Sequence, residues 1–299
     1  MTAAPFGRVV TAMVTPFTAD GGLDLDGAQR LAAHLVDAGN DGLLVNGTAG
    51  ESPTTTDDEK AALVRAVVEA VGDRVPVLAG VGSPSTAHTT ALAQQAQAAG
   101  ATGLLVVTPY YNKPQQAGVV AHVEQVLGAT DLPVALYDVP HRTGLALTTE
   151  TVLRLAEHPR VVAVKDAKLD LEAAAEVLAR TDLAYYCGQD SLTLPYLALG
   201  AVGVVGTSTH VTAGGTRDLV AAFAAGDTAG ALALHRRLLP AYTGIFRAPG
   251  TVLVKAALRD LGLPAGPVRL PLVDATPEQV TALRADLAAA GLALEPTAA

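Results

Sequence analysis

Eight short runs rich in valine, leucine and isoleucine begin near Arg8, Gly42, Val75, Gly103, Pro133, Val161, Ala184 and Val202, and an amphipathic segment separates each from the next. The runs are continuously apolar rather than alternating, as in Gly103-Leu-Leu-Val-Val-Thr108 and Val161-Val-Ala-Val-Lys165. Parallel strands covered on both faces read this way. Helix boundaries agree with the count. Asp26 precedes a helical pattern that ends at Gly39, Thr56 and Glu59 have capping-box spacing, and Ala99-Gly100 closes a third helix. An open doubly wound sheet also alternates strand and helix, but eight regular units without a long break favour an α/β closed (β/α)8 barrel with right-handed crossovers, spanning residues 1–225. Beyond Ala225 the strand signals stop. Three helical patterns follow, Thr228 to Phe246, Gly250 to Leu261 and Pro277 to Ala290, and predict a helical subdomain over residues 226–299 that packs on the barrel or on a neighbouring subunit.

Half of the 299 residues are hydrophobic and 16% are charged, so the chain has ample apolar side chain to fold. The charge of −9, from 29 acidic and 20 basic residues without a basic cluster, argues against nucleic acid. The single cysteine, Cys187, excludes an internal disulfide framework, and the seven histidines lack metal-ligand spacing, so no metal is expected. The opening residues carry no signal-peptide pattern and no apolar run reaches membrane-spanning length, which predicts a soluble cytoplasmic protein.

Barrel active sites form where strands meet their following loops. The sixth run ends in Lys165, which period two places on the side of Val161 and Ala163. A lysine buried there has its uncharged amine favoured and can attack a carbonyl; one that snorkels from a strand end does neither. Of the five lysines, at 60, 113, 165, 168 and 255, the others fall on apparent helix faces or loops. The fifth run ends in Ala135-Leu-Tyr-Asp-Val-Pro140, so Tyr137 neighbours Lys165 either as a proton donor and acceptor or as a core aromatic. The second run ends in Asn46-Gly-Thr-Ala-Gly-Glu-Ser52, a turn able to present backbone N–H groups to a carboxylate. Thr108-Pro-Tyr-Tyr-Asn112 brings two tyrosines to the same mouth, and Arg142 can clamp a second carboxylate.

In order and spacing, Thr11-Ala-Met-Val-Thr-Pro-Phe17, Gly47-Thr-Ala-Gly-Glu-Ser-Pro53, Thr108-Pro-Tyr-Tyr-Asn-Lys-Pro114, Tyr137-Asp-Val-Pro-His-Arg-Thr-Gly144 and Val164-Lys-Asp-Ala167 resemble the 4-hydroxy-tetrahydrodipicolinate (dihydrodipicolinate) synthase family, especially its actinobacterial members. That family belongs to the pyruvate-dependent class I aldolases, together with N-acetylneuraminate lyase. The resemblance implies condensation of pyruvate with L-aspartate-4-semialdehyde without an external cofactor, through an imine on Lys165. It further implies that Thr48 and the backbone at Ala49 hold the pyruvate carboxylate, with Gly50 beside them in the substrate site, and that Tyr137 passes protons through Thr48 to Tyr111 of a neighbouring subunit. Arg142 would hold the aldehyde's carboxylate, Gly188 and Val205 would line the substrate site, and the assembly would be a homotetramer of tight dimers.

Three departures stand out. Ala49 replaces a usual threonine, a lost charge-assisted hydrogen bond of about 1.5–3 kcal/mol. Gln189 replaces an aspartate, and Gly203-Val-Val-Gly-Thr-Ser-Thr-His210 differs from the common serine-containing form. They leave open a divergent member of the superfamily acting on another aldehyde; of the other readings, Arg142 in its Pro-His-Arg-Thr setting argues against a retro-aldolase or dehydratase of a sugar-derived keto acid, and Lys165, Tyr137, Thr48 and Tyr111 together argue against a non-catalytic barrel that binds a metabolite. Asp57, Lys60, Pro84 and His88 stand where lysine-regulated members carry His, Asn and Glu, so no inhibition by L-lysine is expected.

Overall fold

The computed structural model describes residues 3–292. Strands β1 (Val9–Ala12), β2 (Gly42–Val45), β3 (Val77–Gly80), β4 (Gly103–Val107), β5 (Val134–Asp138), β6 (Val161–Asp166), β7 (Ala184–Cys187) and β8 (Gly203–Gly206) close in sequence order into a parallel barrel. Pairing of β1 with β8 completes the ring. Between the strands run α1 (Leu25–Asp37), α2 (Asp57–Val71), α3 (Thr86–Ala98), α4 (Gln116–Ala129), the one-turn α5 (Pro140–Thr143), α6 (Thr149–Ala156), α7 (Leu171–Arg180) and α8 (Thr193–Leu199). Helix α9 (Thr209–Ala224) follows β8 and completes the shell, and α10 (Thr228–Gly244), α11 (Gly250–Asp260) and α12 (Pro277–Ala289) follow it.

The continuously apolar strands sort their side chains into two cores. Val9, Leu43, Val77, Leu104, Leu136 and Val164 face the helices, whereas Val10, Leu44, Leu78, Leu105, Ala135 and Val205 face the axis. Burial on both faces is why these strands carry no polar alternation. Local caps match their chemistry. Thr56 and Glu59 form the reciprocal capping box of α2, and Gly100 takes a positive φ of 93° just after α3. The first helix is capped two residues earlier than its pattern suggests: Asp24, not Asp26, accepts the N–H of Gly27.

A second correction concerns β6. Period two places Val161, Ala163 and Lys165 on one face, but the register slips opposite Val134/Ala135. Val161 consequently packs outward while Ala163 faces the axis. The irregularity re-aims the strand, so parity is correct only from Ala163 to its C-terminal end. Beyond the barrel, α10 lies along α9, and Ala241, Ile245, Leu253 and Leu283 join the outer core that covers the strands. Lys255 projects from α11, whose residues Gly250 to Leu258 are all buried.

Candidate active site

At the C-terminal ends of the strands, Thr48, Ala49, Tyr137, Arg142, Lys165 and Gly188 line one cavity of about 100 Å³. A neighbouring cavity of about 220 Å³ shares Thr48, Tyr137 and Arg142 and extends toward Tyr110 and Gly82. Substrate-sized space therefore flanks both sides of a Thr48–Tyr137–Arg142 divide.

Tyr137 and Lys165 are partners in the β5–β6 register, which places their side chains on the same face of adjacent strands. Each is 7% exposed, and the Lys165 Nζ lies 4.5 Å from the centre of the Tyr137 ring. On the other side Lys165 pairs with Tyr186 of β7. One residue further along, Asp138 and Asp166 also pair, but outward, beneath the helices. Asp166 accepts from the Tyr185 hydroxyl at 2.6 Å and from the Lys168 and Leu169 N–H groups at 2.7 and 3.3 Å. Asp138 accepts only the Leu147 N–H, at 3.2 Å, and its other oxygen is buried without a partner. Burial pushes the Asp138 carboxyl up to about 7, and the adjacent Asp166 adds to that effect. The strand ends that hold Tyr137 and Lys165 therefore have a titrating carboxyl directly behind them.

The turn after β2 is held in an unusual conformation. Asn46 and Glu51 have φ of 57° and 56°, in the left-handed region, on either side of Gly47–Gly50. Within the turn Gly47 O accepts the N–H groups of Gly50 and Ser52, and Thr48 O accepts that of Glu51. The Ala49 and Gly50 carbonyls accept hydroxyls of Thr251 at 3.2 Å and Thr15 at 2.7 Å.

Across the mouth, Asp190 anchors the end of β8 by accepting the N–H groups of Thr207 and Ser208 at 3.1 and 2.9 Å. His210 then bridges Thr207 O at 2.7 Å and the Val14 N–H at 3.0 Å. Both its nitrogens are satisfied by the neutral ring, and full burial depresses its pKa to about 4. Gly188 is required by close approach. Its N–H donates to Asp166 O at 2.6 Å, and a Cβ there would stand 2.7 Å from the same oxygen.

The structure thus brings together six of the residues singled out in the sequence. The remaining three lie apart. Gly50 is buried behind the turn, and Val205 sits among the inward-facing side chains with Tyr137. Tyr111 is 90% exposed, in a left-handed φ of 70°, whereas its neighbour Tyr110 lines the second cavity. Gln189, His141, Thr207, Phe246 and Thr251 also line the Lys165 cavity. Phe246, in the turn after α10, and Thr251, in α11, come from the C-terminal region, where strand-end inspection does not look. Partial desolvation and the adjacent Arg142 lower the His141 pKa.

The other four lysines do lie in helices or loops, Lys60 in α2, Lys255 in α11 and Lys113 and Lys168 between elements, but burial adds nothing to that distinction. Lys255 is 0% and Lys60 8% exposed, so burial does not single out Lys165. What does is the cavity: Lys60 donates to Thr55 O at 2.5 Å, and Lys255 is ion-paired with Glu51 at 2.7 Å. Among the described residues no cluster of three or more His, Cys, Asp or Glu could hold a metal ion, and no helix is long and apolar enough to cross a membrane.

With its reactive candidates at the strand ends and its helices given to packing, the molecule falls among the (β/α)8-barrel enzymes. The dihydrodipicolinate synthetase family matches residues 5–290, and the chain belongs to that family. It is 68% identical to the 4-hydroxy-tetrahydrodipicolinate synthase of Acidothermus cellulolyticus over 288 residues, 96% of this chain and 94% of the relative. To 4-hydroxy-tetrahydrodipicolinate synthase 2 of Streptomyces coelicolor it is 60% identical over 290 residues, 97% of each chain. The crystal structure of the Cyanidioschyzon merolae enzyme with lysine bound superposes with a TM-score of 0.95 at 42% identity, covering 97% of this chain and 100% of that one.

Proposed function

We propose that this protein condenses pyruvate with L-aspartate-4-semialdehyde to 4-hydroxy-tetrahydrodipicolinate, using Lys165 as its covalent catalyst and no external cofactor. The observation that carries the reading is Lys165 Nζ, buried beside Tyr137 and open to the cavity that Thr48 and Ala49 also line. The Lys165 amine attacks C2 of pyruvate, and loss of water gives the imine. Removal of a C3 proton yields the enamine, whose C3 forms the new bond to the aldehyde carbon. The amino group of the semialdehyde then closes on C2 and releases Lys165, so one water leaves overall.

Tyr137 moves protons in these steps, through Thr48 to Tyr111 of a second copy. Thr48 and the backbone N–H of Ala49 hold the keto-acid carboxylate, with Gly50 shaping the turn behind them, and Arg142 holds that of the aldehyde. Gly188 and Val205 shape the floor. Exposure of Tyr111 supports an assembly in which a neighbour covers it, and we assign a homotetramer of tight dimers, working in the cytoplasm, with residues 226 onward as an appended helical subdomain.

Incubation with pyruvate and borohydride, followed by peptide mapping, tests the imine directly: a reduced adduct is expected on Lys165. Absence of a pyruvate adduct while another 2-keto acid labels Lys165 assigns the chain to a different aldol reaction, a reading favoured by Ala49 and Gln189 at the cavity wall. Sedimentation at micromolar concentration tests the tetramer.

A further inference from the structure

The cavity turn is braced from outside the barrel. Glu51 closes the turn and its carboxylate is buried, 2.7 Å from the Lys255 ammonium of α11 and accepting the Arg269 N–H at 2.8 Å. Lys255 also donates to Pro267 O at 2.8 Å, and its Nζ lies 4.2 Å from the centre of the Phe17 ring. One helical turn before it, on the same face of α11, Thr251 donates to the Ala49 carbonyl at 3.2 Å. Two successive groups of one helix thus grip two points of one turn.

We propose that Glu51, Lys255 and Thr251 are positioning residues through which the C-terminal helices set the keto-acid carboxylate site. This rests on the reading of the Thr48–Gly50 turn as that site. The physical link is the peptide plane. Because C=O and the following N–H point in opposite directions, the inward Gly47 and Thr48 carbonyls turn the Thr48 and Ala49 N–H groups outward, to the cavity that both residues line. Left-handed φ at Glu51 is intrinsically disfavoured, so this arrangement persists only while something outside the turn holds it. The buried ion pair is suited to that task, since its direction and reach admit one placement of the Glu51 backbone and slippage would leave two charges unpaired. Ala49 makes the brace matter more: with no hydroxyl at that position, the carboxylate depends on backbone N–H groups whose aim the brace decides.

The test is a split of kinetic constants in the full-length protein. Glu51→Gln/Lys255→Met removes both charges together and strands neither. We expect its KM for pyruvate to rise at least fivefold, while kcat and the KM for aspartate semialdehyde stay within twofold. Equal changes in both KM values, or a loss of thermal stability with an unchanged pyruvate KM, overturn the proposal in favour of simple packing. Should the double variant not fold, Thr251→Val reports on the same device and is expected to raise the pyruvate KM alone, about threefold; an unchanged value overturns it. Wild-type protein that forms no pyruvate imine on Lys165 instead brings down the underlying functional reading.

Discussion

Lys165 and Lys255 are both buried lysines near the C-terminal mouth of one barrel, and their surroundings differ in kind. Around Lys255 the direct contacts compensate a charge: a carboxylate at 2.7 Å, a carbonyl at 2.8 Å and an aromatic face. Burial lowers its pKa, and Glu51 opposes that shift. Lys165 has a tyrosine ring beside it and a cavity in front of it. Burial makes a lysine unusual in either place, but only one opening onto unfilled space can meet a carbonyl; the other is a structural cation.

The largest expected effect separates the two outright. Lys165→Ala should lower kcat/KM by about three orders of magnitude or more and abolish borohydride trapping, with little change in denaturation midpoint. Trapping that persists in this variant would move the nucleophile elsewhere. Tyr137→Phe should still trap pyruvate but lose about 10²–10³ in kcat, because it removes only the proton-transfer hydroxyl; a wild-type kcat would return Tyr137 to the role of core aromatic.

Lys255→Met alone should leave an uncompensated Glu51 and cost about 3–5 kcal/mol in urea unfolding. Restoration by adding Glu51→Gln is the signature of a pair rather than of lost packing.

A smaller effect comes from Asp138, behind the Tyr137–Lys165 pair. Its carboxyl is raised from an ordinary 3.8 to about 7 in the folded protein, so the unfolded chain gives up this proton more readily. The associated stability is complete below pH 4 and is lost as pH rises through about 7. Asp138→Asn, which mimics the protonated form, should therefore match wild type near pH 4 and exceed it by about 2–4 kcal/mol at pH 8. Equal unfolding free energies across that range would mean that Asp138 ionises freely. Least of all should L-lysine act: Lys60 is buried, and His88 is hydrogen-bonded to Asp57 at 2.9 Å. Activity should be unchanged with several-fold excess of lysine over substrate, and half-maximal inhibition below 1 mM would refute this.

How far the chain was legible follows from the range of the interactions. Apolar runs, the Thr56–Glu59 box and the glycine after α3 act within a few residues, and each is found where its pattern lies. The β6 irregularity was not legible, because it depends on how Val161 meets Val134 across the sheet. Nor was the burial of Lys255: its helix reads as a helix, but nothing local reveals that nine consecutive positions are covered, or that the cover includes a carboxylate from the second strand's turn.

The alternation of strand and helix, the strand-end position of Lys165 and the motifs that mark the family were determined by the sequence itself, since periodicity and spacing are properties of neighbouring residues. Only the tertiary structure decided which buried lysine faces a cavity, that Phe246 and Thr251 reach it from the segment beyond the barrel, and that Tyr111 points away from it. Those outcomes depend on closure of the ring, which brings residues some 200 positions apart into contact and leaves no local trace in the chain.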